Sequence, residues 1–198
     1  MDIVLKINIG GKKGYTKKEA EGWTIVDVLK GSDYVVDIGT QKLPFEDNSI
    51  DAIYTSHTLE HIFPHHIDFV FSEMFRVLKE KRRVRIVVPD IDVAINAYNK
   101  KNIDFLRSSK NPRKLKVLPD LPIHYLSGWF FTYREKAGKI IQSGHKMCYN
   151  EESLRYFLEK HHFKNIEFMH YQKTSKIFKQ CDKKRYKYCS LYVEAQKL

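Results

Sequence analysis

Two histidines and a glutamate fall within five residues of one another in this chain. In the segment Ile50 to Ile62, IDAIYTSHTLEHI, the side chains His57, Glu60 and His61 follow directly on a run of strand-forming residues. If His57 opens a helical turn, all three share a face, because positions i, i+3 and i+4 are neighbours on a helix. A histidine at the end of a strand is suited to taking a hydroxyl proton near neutral pH. Two imidazoles and a carboxylate are equally a three-ligand set for a divalent metal. Read as ordinary structure, Glu60 caps or pairs and His61 packs against a strand. Base and metal ligand stay open as roles for the same side chains. His65 and His66, just beyond, read as solvent-facing.

Other candidates sit where apolar runs stop. Ile3 to Ile9 ends in Gly10-Gly11, a strand and sharp turn. Trp23 to Val28 is a second strand carrying Asp27 at its end, and Tyr34 to Val36 a very short third one followed by Asp37. Ile50 to Thr55 is the fourth. A helix follows from Pro64, with apolar residues at Ile67, Phe71, Met74, Phe75 and Leu78. Val84 to Val88 is apolar apart from Arg85 and reads as a buried central strand. Asp90 and Asp92 follow it; Asp92 is the expected cap of the next helix and Asp90 the expected substrate contact. From about 110 to 144 an irregular insert or lid is expected. It carries Pro112, Pro119, Pro122, His124 and the aromatic group Tyr125, Trp129, Phe130, Phe131 and Tyr133. His124 and Trp129 are the insert's substrate-site candidates, although lid packing also accounts for the aromatics. Asn150 caps a further helix, and two closing strands, Ile166 to Tyr171 and Tyr186 to Ala195, read as an antiparallel pair.

These elements describe one α/β domain over residues 1–198, with helices reduced to turns in the first half and an antiparallel hairpin at the end. Only about five residues separate the second and third strands, too few for a usual parallel crossover. The composition, 42% hydrophobic and 30% charged, is that of a globular protein with a proper core. No apolar run approaches the ~20 residues of a membrane helix. The start, MDIVLK, lacks the features of a signal peptide, so a cytoplasmic protein is expected. Three cysteines without a CxxC argue for reduced thiols. The formal charge of +11 favours anionic partners such as nucleic acid, nucleotide-linked sugars or phospholipid, without choosing among them. Runs such as Lys12-Lys13 and Lys183-Lys184-Arg185 read as solvated loops.

The blocks NIGG, GWTIVDV, VVDIGTQKLPFEDNSIDAIYTSHTLEHI, FRVLKEKRRVRIVVPDID and SLYVEA, in that order, resemble class I S-adenosylmethionine (SAM) dependent methyltransferases. The likeness is to short members that modify polysaccharides and small molecules, and it covers most of the chain except the insert. It implies a Rossmann-like sheet and SAM as methyl donor. It implies that Asn8, Gly10 and Gly11 form the cofactor loop and that Asp27 accepts from the ribose hydroxyls. Asp37 would accept from the adenine amino group, with Ile38 beside the ring and Ser56 and His57 near the methionine moiety. Where the family has a further glycine, this chain has Lys12. The HxxEH block is also similar to the ExxEH element of metal-assisted O-methyltransferases, with His57 in place of the first glutamate. By that likeness His145 joins His57, Glu60 and His61 as a base or a ligand of a divalent metal. The expected reaction is methylation of a hydroxyl on a sugar, glycan or glycosylated intermediate. RNA ribose methylation and a catalytically degenerate binding subunit are the rival readings.

Overall fold

The computed structural model describes residues 4–11, 22–108, 121–130, 134–136, 139–141 and 144–198. Lys12, Pro112, Pro119, Phe131 and Tyr133 lie outside the described residues. Seven strands form one sheet: β1 (Lys6–Ile9), β2 (Thr24–Asp27), β3 (Tyr34–Val35), β4 (Ile50–Ser56), β5 (Leu78–Pro89), β8 (Lys164–Met169) and β9 (Ser190–Gln196). Their order is β3-β2-β1-β4-β5-β9-β8. The first five are parallel, and β9 runs antiparallel between β5 and β8. The closing pair is therefore antiparallel, and the connection between its strands holds 3-10 turns and no crossover helix. Connectivity reverses between β1 and β4, and the carboxyl ends of strands at such a switch point form a crevice.

β4 is buried along nearly its whole length because parallel neighbours flank it on both sides. Its one carboxylate, Asp51, is held by Lys79 at 2.9 Å, Arg82 at 3.2 Å and the backbone N–H of Leu5 at 2.9 Å. β5 begins at Leu78 rather than Val84. Its register against β4 shifts between Ile50 and Ala52, so the added residues form a bulge in which Lys81 turns left-handed at φ 61°.

Helix α1 (Ile67–Val77) buries Ile67, Val70, Phe71, Met74 and Val77 against the sheet, joined there by α5 (Glu151–Lys160). Burying each such side chain contributes roughly 1.5–3 kcal/mol. A two-residue β3 and a six-residue link from β2 confirm the compressed first half; between β3 and β4 the chain makes only turns. α1 secures that stretch: Arg76 donates to the carbonyls of Leu43 and Phe45 and to Asp47, and Glu73 accepts the Leu43 N–H at 2.8 Å.

The opposite face is covered by the β8–β9 connection, whose Phe178 packs with Trp23, Tyr54 and Tyr192. Arg85, the one charge within Val84 to Val88, reaches that face. It is fully buried and donates to both oxygens of Asp182, at 2.9 and 2.6 Å, and to Glu194 at 3.1 Å. Burial opposes its charge, but Asp182 and then Glu194 outweigh burial and raise its affinity for the proton.

The insert is more regular than expected. It holds α4 (Pro122–Phe130) and a hairpin, β6 (Arg134–Lys136) with β7 (Lys139–Ile141). α4 packs on α2 (Ile91–Asn99) and α3 (Ile103–Ser108). Among the described residues no helix is long and apolar enough to cross a membrane.

Candidate active site

A cavity of about 450 Å³ opens at the carboxyl ends of β1, β2 and β4, at the switch point. This size is typical of small-molecule sites. At one end it is lined by Asp27, Val36, Asp37 and Ile38, at the other by His57, Thr58, His61 and Lys146. Asp27 Oδ1 accepts the Leu29 N–H at 2.9 Å and Asp37 Oδ1 that of Gly39 at 3.0 Å, so each carboxylate is oriented by its own turn.

Gly10 lines the cavity, but its missing side chain serves a protein neighbour. Its φ is +75°, and a Cβ built on it would lie 2.6 Å from Thr58 Cγ2, 2.7 Å from Thr58 Cβ, and would overlap Oγ1. Thr58, not singled out in the sequence, thus fills the space above the glycine. The space beside Gly11 is filled by the Asn8 amide, 2.6 Å from a Cβ built there. Asn8 faces a separate small hollow with Trp23, Tyr54, Cys181 and Lys183, which removes it from the cavity wall. Ser56 also sits off the wall: its hydroxyl is buried, and its carbonyl accepts from Thr58 at 3.3 Å.

The turn after β4 differs from the expected helix start. His57 is left-handed at φ 55°, its N–H bonded to Val87 O at 2.8 Å, and the 3-10 turn begins at Leu59. The three side chains nevertheless meet. Glu60 is buried, with His57 Nδ1 at 3.3 Å, His61 Nε2 at 3.9 Å and His145 Nε2 at 4.0 Å from its Oε1. Burial opposes the Glu60 charge; the contact with His57 and the nearby His61 and His145 outweigh it and hold its carboxyl below the usual range. His145 arrives by backbone docking, since the N–H groups of Lys146 and Met147 donate to Glu60 O at 2.7 and 3.3 Å.

His57 turns away from the other imidazoles. Its Nε2 is 2.9 Å from Ser190 Oγ, and its ring stacks on Tyr186 at 3.5 Å between centroids. Tyr186 was expected inside the last strand. It instead belongs to a 3-10 turn, Lys184–Tyr186, and β9 starts at Ser190. Ser190 lies 133 positions from His57, and no local pattern signals the pair.

Three substrate candidates lie off the cavity wall. Asp90, not Asp92, caps α2: its Oδ1 accepts the Asp92 N–H at 3.0 Å, and burial raises its pKa. Trp129 is buried in the α2–α4 cluster, stacked on Phe105 with centroids 6.2 Å apart, which makes it a packing residue. His124 sits half-buried in the first turns of α4, its N–H on Leu121 O at 3.0 Å.

A methyltransferase-domain family model matches residues 17–86. No curated protein matches the chain in sequence. Among solved structures, a SAM-dependent methyltransferase from Methanosarcina mazei superposes with a TM-score of 0.59 at 18% identity, over 100% of this chain and 94% of that one. One from Archaeoglobus fulgidus gives 0.57 at 15% identity, over 98% and 86%. A 1,6-didemethyltoxoflavin-N1-methyltransferase from Burkholderia thailandensis, solved with S-adenosylhomocysteine, gives 0.54 at 12% identity, over 98% and 70%.

Proposed function

We propose that this chain is a class I SAM-dependent methyltransferase, a reading that its fold and the family match over residues 17–86 support, and that it moves a methyl group to a hydroxyl of a sugar, glycan or glycosylated intermediate. The single observation that carries the reading is the cavity itself. It joins two strand-end carboxylates, Asp27 and Asp37, to an imidazole backed by a buried carboxylate. Its volume and its apolar wall of Val36 and Ile38 suit an adenosine-bearing donor, with Asp27 and Asp37 as acceptors for ribose and base. The bound donor supplies a methyl group on a positively charged sulfur.

The chain's own part is to align a nucleophile and take its proton. His57 is the base in this reading. A hydroxyl that takes the place of Ser190 at Nε2 passes its proton to the ring, and Glu60 beside Nδ1 stabilises the imidazolium. Tyr186 holds the ring in plane by stacking.

The β8–β9 connection that carries Tyr186 bears Lys173, Lys176, Lys179, Lys184, Arg185 and Lys187, all exposed. Its one acid, Asp182, is spent on Arg85. This supports an acceptor with negative charge near the methylated hydroxyl, such as a nucleotide-linked sugar. The same surface favours RNA as the second reading.

Calorimetry with S-adenosylhomocysteine and turnover of SAM on a panel of nucleotide-linked and neutral sugars test the proposal. We expect binding that weakens at least tenfold in Asp27→Ala. We expect turnover that falls about 10²–10⁴-fold in His57→Asn while S-adenosylhomocysteine still binds. Absence of S-adenosylhomocysteine binding by the intact protein refutes the enzyme reading. Turnover only on RNA, with steeply salt-dependent affinity, replaces the sugar by RNA.

A further inference from the structure

We propose that Arg185 is a specificity residue of the acceptor site: with Lys184 and Lys187 it binds a phosphate or diphosphate group of the acceptor, beside the hydroxyl that His57 serves. Arg185 stands apart from the other arginines of the chain. Arg76, Arg82, Arg83, Arg85, Arg107 and Arg155 each hold a carboxylate within 4.0 Å. Arg185 holds none among the described residues, and neither do Lys184 and Lys187. All three are exposed.

The Arg185 guanidinium is joined instead to a neighbour of the base. Its Nη2 donates to the Tyr186 hydroxyl at 2.5 Å, and its carbon stands 4.5 Å from the centre of that ring. The same ring stacks on His57 at 3.5 Å. Taken in series, the two contacts put the guanidinium carbon within about 8 Å of the imidazole centre. A phosphate on a guanidinium fork has its phosphorus roughly 4 Å from that carbon, and a hydroxyl on the sugar carbon next to the phosphorylated one lies roughly 4 Å beyond it. One phosphorylated sugar residue therefore has the span to reach from Arg185 to His57.

The backbone supports that use. Lys184–Tyr186 is a single 3-10 turn, closed by the Tyr186 N–H on Lys183 O at 3.0 Å and the Lys187 N–H on Lys184 O at 3.2 Å. The sheet takes hold at Cys189, whose carbonyl accepts the Asp90 N–H at 3.1 Å. The next residue, Ser190, is the one that meets His57 Nε2. The three cations are thus carried on the turn that leads straight into the acceptor position.

Their number and type point to phosphate. Three cations in four residues exceed what one carboxylate balances, and an arginine fork takes two phosphate oxygens at once. Stacking of RNA bases calls instead for free aromatic faces. Here Tyr186 is engaged by His57 and Arg185, and Lys187 stands over Tyr188 at 4.7 Å. A small phosphorylated acceptor fits this surface better than a nucleic acid. The role of the phosphate beside His57 rests on the proposed function; the anion site itself does not.

The test uses the whole chain, with inorganic pyrophosphate as the probe and calorimetry as the readout. Parent, Arg185→Ala, Arg185→Lys and Lys164→Ala are compared. Lys164→Ala removes one exposed charge at the other end of the β8–β9 pair, where Lys164 lies opposite Gln196. We expect pyrophosphate to bind the parent and to lose at least about tenfold in affinity in Arg185→Ala, the loss of a charge-assisted contact. Arg185→Lys should recover only part, because it restores the charge without the fork. Lys164→Ala should stay within about threefold of the parent, since a distant surface charge is screened. In turnover on nucleotide-linked sugars the loss in Arg185→Ala should fall mainly on KM, whereas that in His57→Asn falls on kcat. No pyrophosphate binding at millimolar concentration, affinity unchanged in Arg185→Ala, or an equal loss in Lys164→Ala overturns the site. So does an Arg185 dependence found only with a single-stranded RNA oligonucleotide, which makes the partner a nucleic acid. Parallel titration with S-adenosylhomocysteine separates the two proposals. Its binding without Arg185-dependent pyrophosphate binding removes the anion site alone; the reverse leaves the anion site and removes the methyl donor.

Discussion

Replacing Gly10 by alanine tests how the cavity floor is built. Two costs add at this position. An L-residue at φ +75° costs about 1–2 kcal/mol, because its Cβ crowds the following carbonyl. The new Cβ also has no room, with Thr58 Cγ2 at 2.6 Å and Thr58 Cβ at 2.7 Å. Overpacking of this kind costs roughly 1–3 kcal/mol. The sum is about 2–5 kcal/mol, which for a chain of this size is roughly 4–20 °C in melting temperature. Thr58→Gly removes both crowding carbons and leaves the backbone cost untouched. In a double-mutant cycle followed by urea unfolding, Gly10→Ala and Thr58→Gly should therefore couple favourably by about 1–3 kcal/mol. S-adenosylhomocysteine affinity should fall in Gly10→Ala, since Thr58 must move into the cavity it lines, and recover in the double variant. A stability loss under 0.5 kcal/mol in Gly10→Ala would refute the reasoning. So would a full loss that Thr58→Gly leaves unrelieved, because the steric part would then be absent.

Arg85→Met should cost about 3–5 kcal/mol, because Asp182 and Glu194 stay buried without their cation. Thermal unfolding checks it, and a melting temperature within 2 °C of the parent would show the network to be dispensable. Acid should unfold the protein partly through Asp51. Burial opposes the charge of Asp51, but Lys79, the Leu5 N–H and Arg82 prevail and lower its pKa. A lowered folded-state pKa contributes stability that is complete above the unfolded value of about 4 and is lost as pH falls through the folded value. Asp51→Asn should thus be less stable than the parent at pH 7, with the gap narrowing below about pH 4. Urea midpoints at pH 7, 5 and 3.5 measure it, and a gap independent of pH speaks against the ion pairs as its source.

Order and type of elements were legible because they rest on local patterns: strand-forming runs ended by glycine or aspartate, and the helical spacing from Ile67 to Val77. The insert hid one such pattern. Pro122 at the first helical position, then Leu126, Trp129 and Phe130 near helical spacing, already describe α4. Neighbouring prolines drew the reading toward an irregular lid. What stayed hidden depends on partners far along the chain. The LPFED block was recognisable as a word, yet its physical purpose, to be gripped by Glu73 and Arg76 of α1, is a contact across about 30 positions. The same distinction runs through the HxxEH turn. Its spacing put Glu60 and two histidines in one place without revealing that His57 is left-handed. That single φ value sends one imidazole to Ser190 and leaves Glu60 to face His61 and His145. Base and metal ligand compete for the same side chains only if the turn is a regular helix. With His57 turned out of it, its Nε2 meets Ser190, while the Nε2 atoms of His61 and His145 stay 3.9 and 4.0 Å from the carboxylate.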